Sequence, residues 1–521
     1  MGKLLAFTFI LLTVAKVINS EKFENSVVLG IFTEKINETG WSSLTIDTKF
    51  GTFSDEQIAN NSGYAEGFLT AKYIYYNWQN TMADQCRNGR CDKIWSWIQK
   101  QHDWVDANEP HYEGNKYWHQ VHLMHVQIAG LAQGYKASGQ PKLPDYAFDL
   151  LQLAEEFVAI EGKMGSKPYG VTGLGSCSAL IKISEDYDDI WFTHDTWGSY
   201  FEMLKMMKRY YLPYSLNMRS GDKVPGSNIT FSSYPGVIHS IDDFYVINSG
   251  LAVMETTNTI YNGELWKFVE QESIMEFSRV MIANRLAESA EDWVEIYSRY
   301  NSGTYNNQWM VLDYNKFSPG NVRDGTLYVL EQLPGYIERQ DMTYVLREKG
   351  YWASYNIPFF AEVYNRSGTP KMADKHGDWF THEGHPRAKI FKRDQGSVKD
   401  VTSLLKLMRY NDFMNDPFSK CECTPNHASA ENVIASRSDL NPANGTYPIP
   451  QEGHRLHGAT DTKITSYKLF AKHQVVGVAG PTWDQQPVFK WSTSGYKRTR
   501  PLGHPDAFKF NSVVFKGGAF P

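Results

Sequence analysis

The fold is constrained most by a change of character between residues 162 and 182. Upstream, SGYAEGFLTAKYIYYNWQNTM (62–82) and the segments 92–108, 113–138 and 144–162 carry apolar residues at helical spacing. With Ser62 as an N-cap and Glu66 just inside, most of residues 60–162 reads as helix. After GLGSCSALIK (173–182) the runs shorten and alternate. SALIKIS and DDIWFTHDTW read as strands joined by a turn at SEDYDD. NITFSSY, GVIHSIDDFYVI and LAVMETT (228–256) come next, then QWMVLDY and GTLYVLEQL, with later strands near 465–480 and 511–515. WGSYFEMLKMMKRYY reads as a helix between them, and residues 272–300 as one or two more. VVLGIF and WSSLTI, within 27–50, add strands ahead of the helical block. This order predicts a layered α+β architecture rather than a parallel doubly wound sheet. No glycine-rich phosphate fingerprint follows a strand, so no nucleotide cofactor is expected.

Residues 1–20, MGKLLAFTFILLTVAKVINS, have the build of an export signal. Lys3 is a short positive start, Leu4 to Ala15 are too few to span a bilayer, and Ser20 is small enough to precede a cut. No later stretch reaches transmembrane length. Sequons at Asn37, Asn60, Asn228, Asn365 and Asn444 behind such a leader predict a glycoprotein that is lumenal or secreted. The formal net charge is −6 and Lys/Arg are scattered, which argues against a nucleic-acid partner.

An exported chain with five cysteines has one thiol left over. Cys86 and Cys91 enclose the turn-forming RNGR, and Cys421 and Cys423 flank Glu422. Each close pair can bridge, or the two clusters can pair with one another. In either case Cys177 stands alone, between two serines, after a glycine-rich turn and before a strand start. Free cysteine is among the most buried residue types, but glycines and serines form turns better than cores. If residues 177–183 and 189–195 form a hairpin, His194 returns beside Cys177. An imidazole there would lower the thiol pKa and supply thiolate.

Two histidine clusters are the competing features. WHQVHLMHV sets His119, His122 and His125 three apart on a helix, without a carboxylate and without HExxH, and reads as a packed helix stripe. HGDWFTHEGHPR holds His376, Asp378, His382, Glu383 and His385, and supports an alternative reading as a metal-dependent hydrolase. No GxSxG elbow is present, which argues against an ordinary α/β-hydrolase lipase.

The chain resembles the phospholipase B-like family, most closely its lysosomal type. The resemblance is carried by GSCSALIK, THDTWGSYFEMLKMMKRYY, DDFYVINSGLAVMETT, NSGTYNNQWMVLDY, YWASYNIPFF, PRAKIFKRDQG, LMRYNDFMNDP, SRSDLNPANGTYP and AGPTWDQQPVFKWS. It covers most of the mature chain and is most specific from about residue 173 onward. It implies an N-terminal nucleophile hydrolase: an αββα sandwich of two stacked antiparallel sheets between helical layers. It also implies that the precursor cuts itself at Ser176–Cys177, leaving residues 21–176 and 177–521 as two parts of one fold. Thiol attack on the Ser176 carbonyl gives a thioester, and water then frees an α-amino group. That amine, with an ordinary pKa of about 7.7–8.0, can act as base for its own thiol.

Carried over residue by residue, the family pattern makes Cys177 the nucleophile, with His194 and Trp197 matching its H-x-x-W. Thr256 or Thr257 would contact the amine or the substrate. Asn356 is the candidate oxyanion donor, Arg387 the group orienting substrate or carboxylates, and Asp195 has a lesser role. TTN within ETTNT departs from the lysosomal type. The expected function is hydrolysis of an acyl bond, in a phospholipid ester or an N-acyl amide, without a cofactor, in the lysosome lumen or after secretion. The competing class is a lumenal glycoprotein of the same fold that binds rather than turns over.

Overall fold

Alternating burial along the strands sorts the apolar residues into layers. The computed structural model describes residues 15–17, 20–108, 114–165, 176–496 and 500–517. Two largely antiparallel sheets stack face to face. The larger runs Ala15–Val17, Ser20–Glu24, Val28–Lys35, Trp41–Thr48, Lys205–Tyr211, Asn228–Ser233, Phe244–Ile247, Leu251–Thr257, Asn307–Asp313, Leu327–Leu333, Tyr336–Asp341. The smaller runs Tyr351–Ser354, Ser176–Ile183, Ile190–Ser199, Asp461–Ser466, Gln474–Ala479, Val513–Lys516, and His457–Ala459 also pairs with Ile190–Ser199.

Ala252, Met254, Met310 and Leu312 of the larger sheet share one core with Ala179, Ile181, Ile190 and Phe192 of the smaller. Their strand neighbours Val253, Trp309 and Val311 turn the other way, into a core with helices Asp55–Leu69, Lys116–Ala137 and Glu276–Leu286. Leu180, Trp191 and Ile464 turn outward onto Pro386–Asp394 and Val401–Met408. The period of two thus gives four layers, the expected αββα sandwich. Helices Asp55–Leu69 and Lys116–Ala137 meet at glycines, since a Cβ on Gly63 or Gly134 would lie 2.0 Å from a carbonyl oxygen of the other helix.

Both sides of the Ser176–Cys177 bond build the larger sheet. Trp41–Asp47 pairs in parallel with Lys205–Tyr211. The segment before Cys177 is therefore strand as well as helix, and the backbone ladder ties it to the strands downstream of the bond.

Four local expectations need correction. WGSYFEMLKMMKRYY is not a helix: Tyr200–Glu202 is a 3-10 turn and Lys205–Tyr211 a central strand. Its Met, Leu, Lys and Glu favour helix locally, but strands on both sides capture it. The first long helix begins at Asp55, where Ser54 and Gln57 form a capping box; Ser62 is an interior residue whose hydroxyl donates to the Ala59 carbonyl at 2.8 Å. Residues 144–162 break into Ala147–Gln152 and Phe157–Lys163 around the turn Ala154–Glu156. There the Glu156 carboxylate accepts from the Glu276 and Phe277 amides. In GVIHSIDDFYVI only Phe244–Ile247 is strand. Of the expected export signal, residues 1–14 and 18–19 lie outside the described residues, and Ala15–Val17 pairs with Ser20–Glu24. Among the described residues no helix is long and apolar enough to cross a membrane.

Candidate functional site

Cys177 is the second residue of the strand Ser176–Ile183, buried and without a disulfide. The residues before it, GLG at 173–175, lie outside the described residues. The expected hairpin is present. Its register sets Cys177 across from Thr196 and Ala179 across from His194. His194 is therefore diagonal to the thiol rather than opposite it. Its Nε2 lies 2.9 Å from the Glu255 carbonyl oxygen of the facing sheet, and burial drives the imidazole well below its ordinary pKa. His194 ties the sheets together as a neutral ring, which corrects its expected role beside the thiol.

The Cys177 main chain is held by two side chains. Its N–H donates to Asn356 Oδ1 at 3.0 Å, and its carbonyl accepts from Arg387 Nη1. Arg387 Nη2 also donates to Asn356 Oδ1 at 2.9 Å and to the Tyr355 carbonyl at 2.8 Å. The guanidinium lies 4.3 Å from the centre of the Trp197 ring. Burial pulls Arg387 down to about 10, and it stays charged at any physiological pH. Asn356 Nδ2 donates to the Thr257 carbonyl at 2.9 Å. Asn356 thus turns its oxygen, not its NH2, toward the nucleophile, because Arg387 needs an acceptor there. Its place as oxyanion donor is corrected accordingly. Arg387 likewise fixes backbone, not a carboxylate. Thr256 bonds Ser354 across the sandwich at 2.6 Å. Asp195 shares the outer face with Ser178 and is buried near Thr462 and Arg409, away from the thiol.

Burial pushes the Cys177 thiol well up, a bond from the Trp197 backbone amide opposes this, and the charge of Asp243 adds to it. Asp243, Glu255 and Tyr305 form a cluster that residue-by-residue reading of the sequence missed. The Tyr305 hydroxyl donates to Asp243 Oδ2 at 2.5 Å and lies 3.0 Å from Glu255 Oε1. Burial raises both carboxyls well above the ordinary range, and each sits beside the other. Asp243, Tyr305 and Asn356 all have positive φ, at 51°, 44° and 68°. Backbone strain of this kind gathers at functional sites. The signal that could have found the carboxyls was acids inside apolar runs, in SIDDFYVI and LAVMETT.

A cavity of about 330 Å³ reaches the site. Cys177, Thr196, Trp197 and Tyr305 line it, with Glu155, Glu202 and His457. Thr257 is buried outside this lining, and among the described residues its hydroxyl has no hydrogen-bond partner.

A family model described as Phospholipase B matches residues 28–515. The chain belongs to the phospholipase B family. It is 41% identical over 505 residues to "Putative phospholipase B-like 2" of Bos taurus, covering 94% of this chain and 85% of the relative. It is 40% identical over 510 residues to the Homo sapiens protein of the same name, with the same two coverages. The likeness extends to "Phospholipase B-like protein A" of Dictyostelium discoideum, 35% identical over 520 residues, covering 94% and 88%.

In this phospholipase B-family chain both close cysteine pairs are bridged, Cys86–Cys91 and Cys421–Cys423. Asn37, Asn365 and Asn444 are exposed and Asn60 is half-buried. Asn228 is 5% exposed in a strand paired on both sides, which leaves no room for a glycan and removes it as an acceptor. The histidines of the metal alternative serve packing. His385 Nδ1 caps the helix at the Arg387 amide (3.1 Å), His382 meets the Tyr355 hydroxyl, and His376 packs on Phe380. Among the described residues no group of three or more His, Cys, Asp or Glu side chains is arranged to hold a metal ion. His119 and His122 face Asp55 and Glu56, and His125 packs on His102.

Proposed function

We propose that the chain is a self-processing thiol hydrolase of acyl bonds, with Cys177 as nucleophile. The observation that carries this reading is the hold on the Cys177 backbone. A main-chain amide at a strand end is bonded to Asn356 Oδ1, with Arg387 fixed on both. Those bonds suit an α-amine as well as an amide. The same acceptor would receive the new terminus once the Ser176–Cys177 bond opened.

In the first step the thiol gives up its proton and sulfur bonds to the Ser176 carbonyl carbon. Tyr305 lines the same cavity as the thiol and is hydrogen-bonded to Asp243 and Glu255, and an ionised member of that carboxyl pair serves as the proton acceptor. The C–N bond then breaks, the carboxyl pair returns the proton to the departing nitrogen, and water hydrolyses the thioester. In the second reaction the freed amine takes the thiol proton while sulfur attacks a substrate carbonyl; the resulting ammonium gives that proton to the departing alcohol or amine as the C–O or C–N bond breaks, and water then hydrolyses the acyl thioester, releasing the acid and restoring the thiol. Burial and the Arg387 charge both disfavour an ammonium at this place, which leaves the amine in its unprotonated form in acid. The substrate carries an acyl ester or amide, in line with the phospholipase names of the relatives. A lumenal or lysosomal setting is part of this reading.

The test is a denaturing gel with N-terminal sequencing of the exported protein. A fragment beginning at Cys177, absent from Cys177→Ala, is the expected result. A full-length band that persists after incubation in acid would overturn the self-processing step. Turnover of an acyl ester and amide panel by the cut protein, lost in Cys177→Ala, tests the hydrolase step. Cut protein without turnover would leave a binding protein of this fold.

A further inference from the structure

The cavity beside Cys177 has two chemically different parts. Leu151, Phe157, Val158, Val237, Ile241 and Leu456 make an apolar wall. The remaining wall carries four charged side chains, and only two of them have counter-charges. Arg90 is held by Glu161, with Nη2 to Oε2 at 2.9 Å, and Arg455 by Glu431 at 3.0 Å. Glu155 and Glu202 are half-buried, and among the described residues neither forms an ion pair. They are brought together by two turns, Ala154–Glu156 and Tyr200–Glu202. Burial and then the Glu202 charge push Glu155 up to about 8, while burial pushes Glu202 up to about 7 against the pull of Lys205. Lys205, the cation that acts on Glu202, is itself paired with Asp242 and Asp461, so the two neighbouring carboxyls leave a place for another.

An independent observation points the same way. His457 is 5% exposed, it lines this cavity, and among the described residues neither ring nitrogen has a hydrogen-bond partner. The ring is fixed by the pairing of His457 with Ser199, next to the Trp197 and Gly198 stretch of the nucleophile hairpin. A buried imidazole N–H without an acceptor carries its full desolvation cost, so positions of this kind are normally completed by a partner.

We propose that the cavity is a binding site for a cationic amphiphile, in which Glu155 and Glu202 take a positively charged nitrogen, His457 bonds a neutral polar group, and the apolar wall covers a hydrocarbon segment. The site deepens the acyl-hydrolase reading, since it names the substrate class as an acyl compound bearing a cationic nitrogen. The paired arginines are not available to an anion, which sets the preference.

The test uses the full chain carrying Cys177→Ala, so that binding is read without turnover and without the cut. Decyltrimethylammonium, decanol and decanoate, each below its micellar concentration, are titrated calorimetrically at pH 8, where the carboxyls ionise. The cationic probe is expected to bind at least tenfold more tightly than the other two. Glu155→Gln with Glu202→Gln should erase that preference, and His457→Phe should weaken the cationic probe and decanol alike. Each single Glu→Gln variant, checked by its melting curve, stands in should the double variant fail to fold. Equal binding of the three probes, tighter binding of decanoate, no binding at all, or a preference that survives the Glu→Gln changes would overturn the proposal. None of these outcomes depends on whether Ser176–Cys177 is cut.

Discussion

Asp242 and Asp243 are consecutive and fully buried, yet their surroundings are opposite. Asp242 lies 2.7 Å from Lys205, which also reaches Asp461 at 2.8 Å, and Asp461 lies 2.7 Å from Lys463. Two lysines thus meet two aspartates, with Lys205 from the larger sheet and Asp461 and Lys463 from the smaller. Burial opposes ionisation of Asp461, and the lysines overcome it, holding its carboxyl well below the usual range. Asp243, turned by its positive φ, faces Tyr305 and another acid, Glu255. Matched charge joins the sheets; unmatched acid near the thiol is raised by burial. The same residue type therefore meets a cation at one position and another acid at the next.

The comparison breaks most sharply at Lys205. Lys205→Met leaves two buried carboxylates with one lysine, and removal of one partner from a buried ion pair costs about 3–5 kcal/mol. The expected outcome is a large fall in melting temperature and in exported yield. An unchanged melting curve would show that the network adds nothing to the fold. Tyr305→Phe probes the other side. It should slow the appearance of the Cys177 fragment about 100-fold, the scale of a lost proton-transfer group, while the protein remains folded. Equal loss of folding and cutting would make Tyr305 a structural residue like Lys205.

A smaller effect separates matched from unmatched acids by pH. Glu155 is pushed up to about 8, and Glu156, Glu202 and Glu331 to about 7, each chiefly by burial. Unfolded, such carboxyls titrate near 4.3. Between about pH 4.5 and 8 the folded chain holds protons that the unfolded chain has lost, so rising pH favours unfolding. His125, His239, His457 and His504, driven down to about 3 by burial, act the opposite way, but only below about pH 6.5, where the unfolded chain takes up protons. From pH 6.5 to 8 the melting temperature should therefore fall. Glu155→Gln with Glu202→Gln should flatten that fall. A melting temperature that rises across this window would contradict the buried acids as unmatched.

The layered α+β class was legible because period-two and helical apolar spacing are local properties. So was the hairpin that starts at Cys177, since its turn, SEDYDD, is short. Lys205–Tyr211 was not legible as strand. Its local preferences are helical, and the counter-charges of Lys205 and Lys208 lie on other elements, at Asp242 and Asp461 and at Glu66. The site divided in the same way. Counting cysteines isolated Cys177, and the family pattern selected Asn356 and Arg387. The pattern did not say which end of the Asn356 amide faces the nucleophile, because that depends on a guanidinium from another helix. His194 stood two positions from the cross-strand place, and a one-pair difference in register is enough to exchange a thiol partner for a sheet-bridging ring.

By itself the sequence determined most of the strands and helices, the one unpaired thiol, and the turn that brings Ile190–Ser199 back along Ser176–Ile183. Only the tertiary structure decided what surrounds that thiol. Asn356 lies 179 residues from Cys177 and Arg387 lies 210, while Tyr305, Asp243 and Glu255 arrive from the facing sheet and its loops. Hydrogen bonds and proton transfer depend on distances of a few ångströms. No local pattern encodes distances between segments so far apart, so they exist only once the two sheets have stacked.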